Sequence, residues 1–202
     1  MDFTLTSDQQ DAAELARRVL ADRCSQPRLR EVEARGERFD RGLWEELGDA
    51  GLLGLALPEG YGGAGLGLLE LCSVLVETGR TVAPLPLAWH GPTSMAVAAF
   101  GTDDQKQWLL QAAAGGRNVL SPALSEDRAD VPARPTTTAE RDGAGWRLTG
   151  AKTVVPSGTV ADVFVVPADT PHGVTVFLVR PGDGGVDVLP QVLSDGDVAA
   201  RL

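Results

Sequence analysis

Two periods divide the chain. Up to about residue 118 the apolar positions recur at helical spacing, and beyond it they alternate in short runs. Ala12, Leu15, Ala16, Val19 and Leu20 form one apolar stripe, with Asp11, Glu14, Arg17, Arg18 and Asp22 on the opposite face. Ser7, with Gln10 three residues on, reads as a capping box that starts this helix. Residues 25–38 are charged and read as a solvated connector or a frayed helix. Asp40 is placed to cap a short helix through Leu43, Trp44 and Leu47 that stops near Gly51. The stretch from Leu68 to Val76 is apolar nearly all round, which predicts a buried helix with Gly79 just past its end. Pro84, Pro86 and Pro92 break the chain before two more helices, over 93–100 and 103–114. Thr102 or Asp103 caps the second, and Gly115 with Gly116 closes it.

After Arg117 the period becomes two. Segments 119–125, 135–140, 146–150, 162–167, 173–179 and 186–192 are short, rich in Val, Thr, Leu and Phe, and punctuated by Gly, Pro and Asp. Asp142-Gly143 fits a hairpin turn. Strands at this spacing without intervening helices suggest a barrel or a sandwich. The expected architecture is therefore α+β and multidomain: an all-α domain over 1–118, then a β domain over 119–202.

Composition narrows the function. At 202 residues, 43% hydrophobic and 23% charged, the chain can bury a sizeable core and does not read as disordered. Its formal net charge of −10 repels phosphate backbones and anionic lipid heads, so neither nucleic acid nor a membrane surface is expected as a partner. Two His and two Cys support neither a metal site nor a disulfide framework. No basic-then-apolar leader opens the sequence, and no apolar run approaches the ~20 residues of a membrane span. The expectation is a cytoplasmic protein. The glycines after Tyr61 fit neither G-x-G-x-x-G after a strand nor a P-loop ending in Lys-Ser/Thr.

Four stretches in order carry a resemblance: DFTLTSDQQ (2–10), LWEELGDAGLLGLALPEGYGGAGLGLLE (43–70), GTDDQKQWLL (101–110) and LTGAKTVVPSGTVADVFVVPA (148–168). On these the chain resembles the acyl-CoA dehydrogenase family, over essentially its whole length. The resemblance implies an N-terminal helical domain and a middle antiparallel β-barrel cut short at Leu202. The family's C-terminal four-helix domain would then be absent. It implies FAD, an acyl-CoA substrate of fatty-acid β-oxidation or steroid breakdown, and an oligomer. It also implies electron-transfer flavoprotein or a similar electron acceptor. A carboxylate takes the α-proton while hydride leaves the β-carbon for the flavin. No carboxylate in 1–202 is assigned as that base, which is expected beyond Leu202. The Tyr61 glycine run is, by the same resemblance, a structural turn.

The resemblance also locates departures. Ser125 stands where the family places a Thr whose hydroxyl meets the flavin pyrimidine edge, with Leu124 offering backbone beside it. The Gly-Ala-Gly-Ser stretch that follows in the family is shortened here, and Asp130 takes the place of its Asp. Val154 replaces a Trp that packs on the flavin ring. In the segment Val155, Pro156 and Ser157, Pro156 replaces a hydroxyl donor to the flavin, and proline supplies neither side-chain donor nor N–H. Ser157 is adjacent and able to substitute. His90, in AWHGPT after Pro86, reads as an ordinary loop histidine, or, since this loop region lies near the acyl end of the pocket in the family, as a residue that shapes the substrate site. Lys152, Trp44, Trp89, Trp108 and Trp146 read as structural. Weakened flavin contacts leave two readings, a flavin-dependent dehydrogenase and a non-catalytic subunit that shapes a partner's site in a heteromer.

Overall fold

The computed structural model describes residues 4–36, 38–128, 131–194 and 197–202. It divides into two compact units, one running through Asn118 and one from Val119 to Leu202.

The first unit is helical. Helix α1 spans Ser7–Arg23, and its N-cap is Thr6 rather than Ser7, with Gln9 closing the capping box. The box sits one residue earlier than the sequence suggests because Gln9 is also needed inside, where its amide donates to Glu70 at 3.0 Å. The charged stretch after it forms a true helix, α2 (Gln26–Ala34), anchored by one buried side chain, Val32. Helix α3 (Arg41–Asp49) starts as expected at Asp40, which accepts from the Leu43 N–H and pairs with Arg28 at 2.8 Å. A 3₁₀ turn, Glu59–Tyr61, opens the glycine-rich loop. Gly63 is required there: a Cβ would fall on the Leu57 carbonyl and 2.7 Å from that of Gly54. The run is thus a packed turn, with backbone bonds from Gly65 to Leu57 and from Leu66 to Leu55.

Helix α4 (Leu68–Thr81) departs from expectation in two ways. It buries only one face, through Leu71, Ser73, Val74 and Glu77, and leaves Leu68, Leu69, Cys72 and Val76 exposed. It also runs past Gly79. Val82 takes the left-handed cap (φ 52°), and its N–H and that of Ala83 close on the Gly79 and Thr78 carbonyls. Glu77 is buried but held by Arg17 of α1 at 3.0 Å and by Arg80 at 3.2 Å, so the charge is compensated. Helix α5 (Leu87–Phe100) begins six residues before the predicted start and contains Pro92. The carbonyl that Pro92 leaves without an N–H belongs to Ala88, which is exposed to water. Helix α6 (Asp103–Ala114) is capped by Thr102 with Gln105. Trp44, Leu20, Leu43, Leu47, Leu52, Leu57, Leu71, Leu87, Leu109 and Leu110 are fully buried in this unit.

The second unit is a mixed β structure. Its strands are β1 (Leu120–Pro122), β2 (Thr138–Asp142), β3 (Gly145–Thr149), β4 (Val155–Pro156), β5 (Val163–Thr170), β6 (Gly173–Val179), β7 (Leu189–Val192) and β8 (Val198–Arg201). One sheet has the order β1-β5-β2-β3, with β6 antiparallel along the other edge of β5. The second has the order β4-β8-β7, all antiparallel. The pairings of β5 with β1 and with β2 are parallel, where the family resemblance implies an antiparallel barrel; the remaining pairings are antiparallel. Neither β4 nor β8 was legible: the first has two residues, and the second is four residues with little alternation. Gly143, at φ 60°, turns the β2–β3 hairpin as expected. Strand β5 is the spine, buried at every position but one. Ala123, Val155, Ala161, Phe164 and Val166 form the core around it. Pro167 is tolerated in that strand because it lies between the stretches paired with β1 and β2, where no ladder bond is lost.

Candidate functional site

Two short segments of the β unit meet where the sequence places its flavin-lining residues. The Thr153 N–H donates to the Ser125 carbonyl at 2.9 Å, setting Leu124–Ser125 beside Thr153–Val154. Leu124, Ser125 and Val154 are exposed. Val154 is left-handed (φ 51°), a true outlier for a β-branched residue, and Ser157 is left-handed as well (φ 50°). The strained segment is held from several sides. Gln191 of β7 accepts from the Val154 N–H at 2.9 Å, β4 pairs with β8, and the Ser121 hydroxyl donates to the Pro156 carbonyl at 2.5 Å.

Behind this edge lies a buried ion pair. Lys152 Nζ is 2.6 Å from Glu126 Oε1, with side-chain exposures of 2% and 1%. The ammonium also donates to the Pro167 carbonyl at 2.7 Å, at the gap in the β5 ladder. Glu126 accepts four more hydrogen bonds: the N–H and hydroxyl of Thr136 at 2.5 Å each, the Thr137 N–H at 3.1 Å and the Thr137 hydroxyl at 2.6 Å. Burial alone would raise the Glu126 pKa, but Lys152 and the two threonines outweigh it and hold the carboxyl well below the usual range. Asp127, next along, pairs with Arg201 at 2.6 Å. The two carboxylates that follow Ser125 are therefore both committed to cations. A cavity of about 110 Å³ opens beside Lys152, lined by Thr137, Leu148, Val166, Val179 and Leu202 among others. It is smaller than the ~300 Å³ at which small-molecule sites begin.

The predicted residues do not all face one surface. Leu124 and Ser125 do present themselves. Val155 is fully buried in the core, so its side chain is not a cofactor contact, and the outward residue of its segment is Val154. Pro156 and Ser157 are half-buried. Asp130 lies outside the described residues. His90 is not in a loop: it sits on α5 with its ring fully buried, edge-on to Trp44 at 4.9 Å and 3.4 Å from the Ser94 hydroxyl. A substrate-shaping side chain must reach a surface, and this one does not. Burial pushes its pKa down to about 4, against a hydrogen bond to the Ala113 backbone that raises it. Trp44 is core, and Trp89 and Trp108, nearly half exposed, fall within the core or half-buried packing read for them. Sequence reasoning did not reach Glu126 or Gln191. Glu126 meets Thr136, Thr137 and Lys152 at 10, 11 and 26 residues' distance and Gln191 meets Val154 at 37, and no local pattern signals them.

The fit to FAD is one-sided. Ser125 offers an exposed hydroxyl for a flavin ring edge. Val154, Val155 and Pro156 offer no side-chain donor, and the Pro156 carbonyl is already engaged. No group of His, Cys, Asp and Glu among the described residues could hold a metal ion. No helix among them is long and apolar enough to cross a membrane.

Residues 6–117 match the acyl-CoA dehydrogenase N-terminal domain, and residues 122–196 match the acyl-CoA dehydrogenase middle domain. The chain belongs to the acyl-CoA dehydrogenase family. Acyl-CoA dehydrogenase FadE27 of Mycobacterium tuberculosis is 42% identical over 190 residues, covering 93% of this chain and 50% of that protein. Among solved structures, the Tcur3481-Tcur3483 steroid ACAD G363A variant superposes with a TM-score of 0.92 at 42% identity, over 98% of this chain and 55% of that one. A chain of the ChsE4-ChsE5 complex from M. tuberculosis gives 0.92 at 37% identity, over 100% and 54%. The chain thus spans about half the length of the acyl-CoA dehydrogenases it matches. The helices-then-strands fold is that of this family.

Proposed function

We propose that the protein works in the α,β-dehydrogenation of an acyl-CoA thioester as one subunit of a heteromeric acyl-CoA dehydrogenase. The observation that carries this reading is the flavin-facing edge: one exposed hydroxyl, Ser125, beside a segment whose Pro156 has no donor to give. FAD, when bound, would accept the hydride from the acyl β-carbon. Ser125 would bond the ring's pyrimidine edge, with Leu124 lending backbone and Val154 an apolar surface. Glu126 does not serve as the base, because it is buried and its oxygens are taken by five donors. The likeness to two complexes, one of them named a steroid ACAD, supports both the heteromer and a steroid-bearing acyl group over a straight chain. Electron-transfer flavoprotein or a similar acceptor would reoxidise the flavin.

The intact Ser125 edge supports a second reading, a self-sufficient flavin-dependent homomer. The visible flavin band separates the two. The protein is purified alone and after co-expression with a second acyl-CoA dehydrogenase subunit. Flavin bound only by the mixed complex is expected. A stoichiometric yellow homomer would overturn the heteromer and favour the second reading.

A further inference from the structure

The most heavily bonded group near the candidate site does not face it. Glu126 immediately follows Ser125, and Lys152 immediately precedes Thr153. The exposed edge is thus the outer end of two segments whose inner ends are ionically joined at 2.6 Å. At the surface one backbone bond, Thr153 N–H to the Ser125 carbonyl, ties the same two segments. A single bond from the half-buried Thr153 to the exposed Ser125 is a weak tie, whereas five donors on one buried carboxylate leave it no other place to sit. A buried ion pair is also a poor device for stability alone, since two apolar side chains serve as well. What it adds is a fixed geometry, and here that geometry ends at the strained Val154.

We infer that Glu126 and Lys152 are positioning residues: their buried pair fixes the Ser125 backbone against Thr153–Val154 and so aims the Ser125 hydroxyl at the flavin. The inference rests on the flavin role proposed for that edge. Neither residue touches the cofactor; each acts through its neighbour in the chain.

The test uses the protein with its natural chain and, where needed, its partner subunit. The double variant Glu126→Gln/Lys152→Met removes both buried charges. Thr137→Val, which deletes one bond to the same carboxylate and keeps both charges, is the milder variant. Two readouts are taken. In native-state hydrogen exchange, the Thr153 and Val154 amides are expected to exchange about tenfold faster or more in the double variant, and less so in Thr137→Val, while amides of β5 and β6 keep their protection. FAD affinity is expected to fall about five- to tenfold, the scale of one hydrogen bond. Adding Ser125→Ala in that background should then cost little more, although it costs as much alone. Unchanged Thr153 and Val154 exchange in both variants, unchanged affinity in a folded variant, or a fully additive Ser125→Ala effect would each overturn the positioning role. If the unmodified protein and complex take up no flavin, the flavin reading fails, and the two amides still decide whether the pair positions the edge.

Discussion

Burial keeps the His90 imidazole neutral in the folded helical unit, with a pKa near 4 against an ordinary value of 6.5. The unfolded chain therefore binds a proton below pH 6.5 that the folded chain refuses until about 4. Stability supplied by the neutral ring is complete above 6.5, is lost as pH falls through that window, and levels off below about 4. Glu126 behaves differently. Its pKa is depressed, so its contribution is complete above the ordinary value of 4.5 and is lost only at more acid pH. Thermal melts across pH 7 to 4 (~3 units, the His window) are expected to show a falling Tm, with a clearly shallower slope in His90→Asn. An equal slope in the variant would show that His90 does not titrate in this way. At this scale the sequence was a poor guide. A histidine near three prolines looked like a loop residue, and only its position on α5 against Trp44 shows it to be core.

At the scale of elements, two N-caps were legible, one was a residue off at Thr6, and faces were not legible. Asp40 and Thr102 both start helices where their residue types suggest, because a cap is a bond between residues three apart in sequence. Their environments differ. Asp40 is buried and also pairs with Arg28, whereas the Thr102 box is exposed. Asp40→Ala is expected to cost about 2 kcal/mol and Thr102→Ala about 1 kcal/mol or less, read from urea denaturation midpoints. A larger loss at Thr102 would contradict this ordering. Helix α4 shows the limit. Its apolar residues cover more than one face, and periodicity alone does not say which face Arg17 and Gln9 of α1 will meet. The short strand β4 shows it again, since two residues carry no period at all.

At the scale of the molecule, charge decides behaviour in solution more than fold. A formal net charge of −10 at pH 7 and a pI near 4.6 make non-specific encounters between copies repulsive at neutral pH. Turbidity is expected to peak near pH 4.6, inside the window in which His90 is losing its contribution. In His90→Asn the peak is expected at the same pH but to develop more slowly on standing. A peak displaced from the pI would mean that a local patch, not net charge, governs association. The two units differ in how they could be read. Each helix forms through bonds between near neighbours whose period shows in the sequence, even though α1 meets α4 through partners 60 and 61 residues apart, while short strands of the β unit are held by partners such as Ser121 with Pro156 and Val119 with Asp162, 35 and 43 residues apart.

The family, the order of helices before strands and the Asp142-Gly143 turn all follow from residue order, because each rests on a motif or a spacing of a few positions. The bonding of Glu126 to Lys152, the left-handed Val154 under Gln191, the core place of Val155 and the burial of His90 belong to the tertiary structure. In each, the partner comes from a distant stretch of chain. A side chain is driven inside by what packs or bonds against it, and that neighbour is chosen only when the chain has folded.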